Sequence, residues 1–139
     1  MSGIEEVQKV LNELGSEMGL GELELDESQQ ICLSFEEVEI GFAYAECPVE
    51  ILSISADLWS IPDKNVSPLR RILQLGYQYW LSGTFTIGLD QRGGRIIGRT
   101  TIPIAVLGID RLRQTLRTVL VAACHIREEM ERGYLAEMQ

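Results

Sequence analysis

Residues 86–101 read TIGLDQRGGRIIGRTT. Within that stretch, a glycine, four residues, two glycines and an arginine come one step from the phosphate-cradling pattern G-x-x-x-x-G-K-[ST]. In that pattern, loop amides and the N-terminus of the following helix hold the phosphates, a lysine reaches the outer ones, and a hydroxyl takes the metal ion. Here residues 95–102 alternate like a strand, and no lysine or hydroxyl follows the glycines. Asp90 would put a negative charge inside the cradle. The stretch therefore predicts a hairpin connection whose glycines adopt positive φ. His125, the only histidine, sits beside Cys124, but neighbouring helical side chains point about 100° apart, which argues against a thiol–imidazole pair. A single histidine also excludes multi-histidine metal sites. Cys32, Cys47 and Cys124 lack Cys-x-x-Cys spacing and read as small apolar fillers, neither a disulfide framework nor a zinc site. Asp26/Glu27 and Glu36/Glu37 fall in expected turns, where carboxylates are solvated rather than convergent for acid–base chemistry. The expectation is a protein that is not an enzyme and has no catalytic residues, no cofactor and no metal.

Charge narrows the class of partner. Residues 1–60 hold fourteen acidic residues against Lys9 alone, whereas residues 61–139 hold eleven basic against seven acidic, for a net charge of −9. Such a field repels phosphate backbones and anionic membrane surfaces, so neither nucleic acid nor membrane is expected and protein partners are. The arginines at 70, 71, 111, 113 and 117 then serve to answer the acidity within the fold or across a dimer. The opening MSGIEEVQKV is acidic where a signal peptide is basic and then apolar, which predicts a cytoplasmic protein. No apolar run approaches the roughly 18–20 residues of a membrane span.

The elements around these residues follow from periodicity. Ser2 and Glu5 have capping-box spacing, and Ile4, Val7, Leu11, Leu14 and Met18 form a helical stripe stopped by Gly19 and Gly21. LELDESQQ gives a short extended approach and a turn. Ile31, Leu33 and Phe35, then Val38, Ile40, Phe42 and Tyr44, then Leu52, Ile54, Ala56 and Leu58 alternate with small or polar residues, predicting a three-stranded antiparallel meander. After the break IPDKNVSP, Ser67 and Pro68 open a second helix that is apolar almost all round and ends near Gly83. Such a helix must bury two faces, and in a chain this short the second meets another subunit. Phe85, Ile87 and Leu89 mark a fourth strand, RIIGRTTI a fifth, and a last helix starts near Gly108 with Gly133 as its stop. Gly41 and Gly98 stand in strand positions that suggest a bend or a close backbone approach, and Gly76 leaves the second helix without a side chain. The class is α+β over one domain, 1–139: helix, three strands, helix, two strands, helix, with a mainly antiparallel twisted sheet.

In order along the chain, VLNELGSEMGL with LELDESQQICLSF, VEIGFAYAE, ILSISADLWSIP, PLRRILQLGYQYW and TIGLDQRGGRIIGRTTIPIAVLGIDRLRQTL resemble the class I type III secretion chaperones of the Tir-chaperone type. The resemblance runs from about residue 4 to 131 and implies an acidic cytosolic homodimer. Such a dimer binds the N-terminal region of a secreted effector in extended form, keeps it secretion-competent and assists its delivery to the secretion apparatus. The alternative it allows is a regulatory relative that sequesters a transcriptional activator or anti-activator. By position, it implies a dimer contact through Leu69, Ile72, Leu75, Tyr79, Phe85 and Ile87. Partner capture is expected at Leu23, Leu25, Ile31, Leu33, Phe35, Ile40 and Phe42.

Overall fold

A computed structural model describes residues 2–46, 48–60, 67–83, 85–90 and 94–138, with side chains given outside 67–69 and 134–138. Helix α1 spans Gly3–Glu17. Its Ser2 hydroxyl accepts the Glu5 amide at 3.3 Å, and Gly19, at φ +71°, turns the chain out of it. Strands β1 (Gln30–Phe35), β2 (Val38–Ala45) and β3 (Ile51–Ser60) follow. Next come α2 (Ser67–Ser82), β4 (Thr86–Leu89), β5 (Arg95–Pro103), a 3-10 turn (Ile104–Val106) and α3 (Ile109–Met138). All strand pairings are antiparallel and the sheet order is β1-β2-β3-β5-β4. The last hairpin therefore adds to the meander at β3, and β1 and β4 form the edges.

The alternation expected of the strands is what seals the core. Ile40, Phe42, Leu52, Ile54, Ala56 and Leu58 are at most 1% exposed, as are Leu112, Val119, Ala123 and Ile126 of α3. Helix α3 packs over the centre of the sheet, with α1 and α2 beside it and α2 reaching β4. Burial of this many apolar side chains, each worth roughly 1.5–3 kcal/mol, is the main source of stability.

Two strand glycines are close-approach positions, though what approaches is a side chain and not the backbone that their placement suggested. A β-carbon on Gly98 would lie 1.9 Å from Phe85 Cζ, and one on Gly41 would lie 2.8 Å from Ser55 Oγ. Gly83 ends α2 at φ +69°. One expectation is corrected. Gly133 does not stop α3, which continues to Met138. Gly133 is not among the left-handed residues, and a glycine without that conformation is no helix terminator. The hairpin glycine Gly93 lies outside the described residues. Asp90 closes the connection. Its amide donates to the Arg95 carbonyl, and its Oδ1 accepts the amides of Gly94 and Arg95 at 3.0 and 3.4 Å. Loop amides that a phosphate would need are thus already held by a carboxylate.

Candidate protein-binding surfaces

The side chains that could have been catalytic are otherwise engaged. His125 Nδ1 lies 2.7 Å from the Tyr79 hydroxyl, so its partner comes from α2 and not from Cys124. Asp26 Oδ1 accepts the amides of Ser28 and Gln30 and shapes its own turn. Glu36 and Glu37, at φ +47° and +71°, form the tight β1–β2 turn. Cys32 and Cys124 are exposed, and Cys47 lies outside the described residues. Among the described residues, no three His, Cys, Asp or Glu side chains group as metal ligands. No helix among them is long and apolar enough to cross a membrane.

The residues expected to capture a partner divide by depth. Ile40 and Phe42 are fully buried. They sit on β2, a strand with neighbours on both sides, and its alternate side chains point under the helices. They form core and not surface, which corrects their assignment. Phe35 is 8% exposed and Leu23 4%, whereas Leu25, Ile31 and Leu33 pack against the core only in part. Ile31 and Leu33 belong to edge strand β1, whose only strand partner among the described residues is β2.

Leu23 and Leu25 lie on an extended strap that runs back along α1. Gln8 reads it on both sides: its Nε2 donates to the Leu23 carbonyl at 2.5 Å and its Oε1 accepts the Leu25 amide at 3.2 Å. Asn12 Oδ1 accepts the Leu23 amide at 3.3 Å. Gln8, Asn12 and Gly15 share one helical face, and Gly15 gives the strap room, since a β-carbon there would come 2.2 Å from the Gly21 carbonyl oxygen. Two amide side chains thus do for the strap what a neighbouring strand would do. Polar residues on an amphipathic helix read as solvent-facing, so no sequence signal marks this clasp.

The second surface is the outer face of α2 with β4. Of the residues expected at a dimer contact, Ile72, Leu75 and Phe85 are 4%, 1% and 3% exposed and belong to the chain's own core. Tyr79 and Ile87 are half-buried against it, and the Leu69 side chain is outside the described set. The apolar residues left open are Leu73, Tyr77, Trp80 and Leu81 on α2 and Leu89 on β4, at 54–73% exposure. Leu73, Tyr77, Trp80 and Leu89 flank an open groove of about 580 Å³ floored by Ile72, Gly76, Ile87 and Ile96. Gly76 faces β4, and a β-carbon there would meet Ile87 Cβ at 3.7 Å, an ordinary contact. Tyr77 and Trp80 pack together at 6.1 Å. A contiguous apolar patch this exposed marks an interaction site.

A polar network locks α2 against α3 behind this face. Arg71 Nη2 lies 2.5 Å from Glu129 Oε2, and Tyr79 bonds to His125. Arg71 holds the Glu129 carboxyl below its ordinary range. Burial, and secondarily Glu129, raise the Tyr79 phenol. Arg113 joins α3 to Glu17 of α1 at 2.6 Å, and Arg95 joins β5 to Asp57 of β3 at 2.5 Å. Two arginines of the second half thus answer acids of the first, and of the five arginines expected to do so Arg113 is one, whereas Arg71 pairs with Glu129 within the second half.

Residues 9–127 match the Tir chaperone protein (CesT) family. The chain belongs to that family. Solved structures carry the same fold as this family member. The chain is similar to one in the ExsC–ExsE complex, at 24% identity over 92% of this chain and 96% of that one, with a TM-score of 0.81. It is also similar to one in the HopA1–SchA chaperone–effector complex, at 16% identity over 90% and 95%, with a TM-score of 0.77. A third is in the complex of the Yersinia pestis type III secretion chaperone SycH with a stable fragment of YscM2, at 20% identity over 86% and 98%, with a TM-score of 0.63. No curated protein matches significantly in sequence. The fold class inferred from periodicity is that of these relatives, five antiparallel strands and three α-helices.

Proposed function

We propose that this protein is a non-enzymatic chaperone that binds the N-terminal region of a type III secreted effector in extended form and keeps it competent for export. The observation that carries the reading is the family match over residues 9–127. Its support is the company of relatives solved as chaperone–effector complexes and a surface with exposed apolar faces. An extended segment loses its ordering entropy on binding, so it needs a long wrapped contact to bind tightly. Leu25, Ile31 and Leu33 beside the open edge of β1 offer such a track. The working unit is a cytoplasmic homodimer that buries Leu73, Tyr77, Trp80, Leu81 and Leu89 around the α2/β4 groove. Ile72 and Ile87 form the floor of that contact.

Size-exclusion chromatography with light scattering, alone and with an N-terminal effector fragment of roughly 50–100 residues, tests both parts. The expected species are a 2:0 dimer and a complex that keeps the fragment soluble. Trp80→Glu should give monomer, because a large aromatic at the centre of an interface typically carries more than about 2 kcal/mol. A monomeric wild type that binds no secreted protein encoded beside it would overturn the proposal. Exclusive capture of a transcriptional regulator would move the protein to the regulatory class.

A further inference from the structure

The hydrogen-bond phase of edge strand β1 fixes which of its main-chain groups stand open. The Gln29 carbonyl accepts the Tyr44 amide at 3.0 Å, so Gln29 turns its backbone toward β2. Successive residues of a strand turn to opposite sides. Ile31, Leu33 and Phe35 therefore also turn toward β2, and Gln30, Cys32 and Ser34 turn outward. Gln30 is already closed by Asp26. Its carbonyl accepts the Asp26 amide at 2.8 Å, and its own amide donates to Asp26 Oδ1 at 3.0 Å. Cys32 and Ser34 are exposed, and among the described residues their outward amides and carbonyls meet no other backbone. The open edge is thus short and has a stop at one end.

The surroundings of this edge have a definite chemistry. On its helix side, Ile31, Leu33 and Leu25 of the strap are apolar and only partly covered. Its two ends are acidic. Asp26 and Glu27 stand at the Gln30 end, and Glu36, Glu37 and Glu39 at the other, where Glu39 is the cross-strand partner of Ser34. β1 itself carries no charge. Among the described residues none of these acids is in an ion pair. Arg127 reaches the Glu37 carbonyl and leaves the Ser34 end with an excess of acid, while Arg95 is engaged with Asp57. A strand edge binds an added strand through its main chain, and side pockets and charge choose which strand. A second copy of this edge would set the same acids against each other, as would any acidic segment. We propose that the β1 edge selects extended segments that carry alternate apolar residues between lysines or arginines. The segment's main chain pairs with Cys32 and Ser34, its apolar residues lie beside Ile31, Leu33 and Leu25, and its cations reach the acids at the two ends. Asp26 sets the register by ending the ladder at Gln30. The inference rests on the chaperone reading only for the partner being a secreted effector.

The test uses the whole protein and synthetic peptides. One peptide is Val-Thr-Val-Thr-Val between lysine pairs, a second has glutamate pairs in their place, and a third has lysine pairs around Gly-Ser-Gly-Ser-Gly. Each is titrated into ¹⁵N-labelled protein, and amide exchange is followed residue by residue. The lysine-flanked valine peptide should give saturable shifts and slow the exchange of the Cys32 and Ser34 amides, which are open in the free protein. Its affinity should exceed that of the glutamate peptide by about tenfold or more in about 50 mM salt, and the ratio should shrink in about 300 mM salt. The Gly-Ser peptide should protect neither amide, because charge alone does not add a strand. Asp26→Asn combined with Glu36→Gln and Glu37→Gln keeps an acceptor at 26 and removes three charges. In that variant the two valine peptides should bind within about threefold of each other. Equal affinity of the two valine peptides for the wild type, binding that leaves Cys32 and Ser34 unprotected, or no binding would each overturn the proposal, even if the triple variant does not fold. Binding of an effector fragment is scored separately, so the chaperone reading stands or falls on its own.

Discussion

Gly98→Ala tests the packing that seats the α2/β4 face. The added β-carbon would stand 1.9 Å from Phe85 Cζ and 2.1 Å from Cε1, where ordinary contact begins at 3.4 Å. The ring must therefore retreat by about 1.5 Å. It has little space to do so, being 3% exposed and set edge-on to Tyr79 at 6.0 Å. Forcing volume into a filled core costs about 1–3 kcal/mol, and losing a buried phenylalanine altogether about 3–5 kcal/mol, so a destabilisation of about 2–3 kcal/mol is expected. In a Phe85→Ala background the clash is gone. There the same change should be neutral or favourable by a few tenths, because glycine is disfavoured in a strand by roughly 0.5–1 kcal/mol. Urea unfolding of the four proteins at one fixed concentration gives the coupling directly, the fixed concentration removing any contribution from assembly. Equal costs in both backgrounds, within about 0.5 kcal/mol, would refute the claim that Gly98 exists to admit Phe85.

Other outcomes follow from neighbouring features. Gly15→Ala should drive the 20–25 strap off α1, speeding amide exchange at Leu23 and Leu25, with a loss of about 1–3 kcal/mol; Gln8→Ala should speed the same amides with α1 intact. Replacing Glu36-Glu37 by Asn-Gly should stabilise the β1–β2 hairpin by about 1–2 kcal/mol, since both glutamates hold a left-handed conformation that Asn and Gly adopt readily. The Glu129 carboxyl is depressed by Arg71 from its ordinary value of 4.5. That contribution is therefore present above pH 4.5 and fades as the pH falls through the folded value. A melting-temperature gap between wild type and Arg71→Gln should be seen near neutrality and should narrow as acidification takes the pH below the folded value, and a gap independent of pH would deny the link.

Periodicity was enough to read the frame, because each strand alternates and α1 carries both its cap and its stop. It could not give depth. Ile31 and Ile40 each hold an apolar place in their strand's alternation and have the same side chain, yet one is on an edge strand and the other under α3; which strand lies at an edge is settled by β5 pairing with β3 far along the chain. On α2, Leu73 and Tyr77 are as apolar as Ile72 and Leu75, and composition does not say which stripe turns inward. Only the partition by packing shows that the inward stripe is core and that the outward one stands exposed. The clasp of Gln8 and Asn12 was illegible for a related reason, since a glutamine that reads a backbone looks like one that meets water. Gly41 and Gly98 were legible as close approaches because a glycine in a strand has few other reasons to be there.

The division of charge bears on how the chain is made. During synthesis the first sixty residues emerge with Lys9 as their only counterion. Their self-repulsion keeps this α1–β3 portion expanded and soluble. The groups that neutralise it, Arg95 for Asp57 and Arg113 for Glu17, leave the ribosome later, together with β5 and α3, which close the sheet and cover it. An acidic portion made before the arginines that pair with it favours an order in which the apolar strands stay apart until β5 and α3 arrive to cover them.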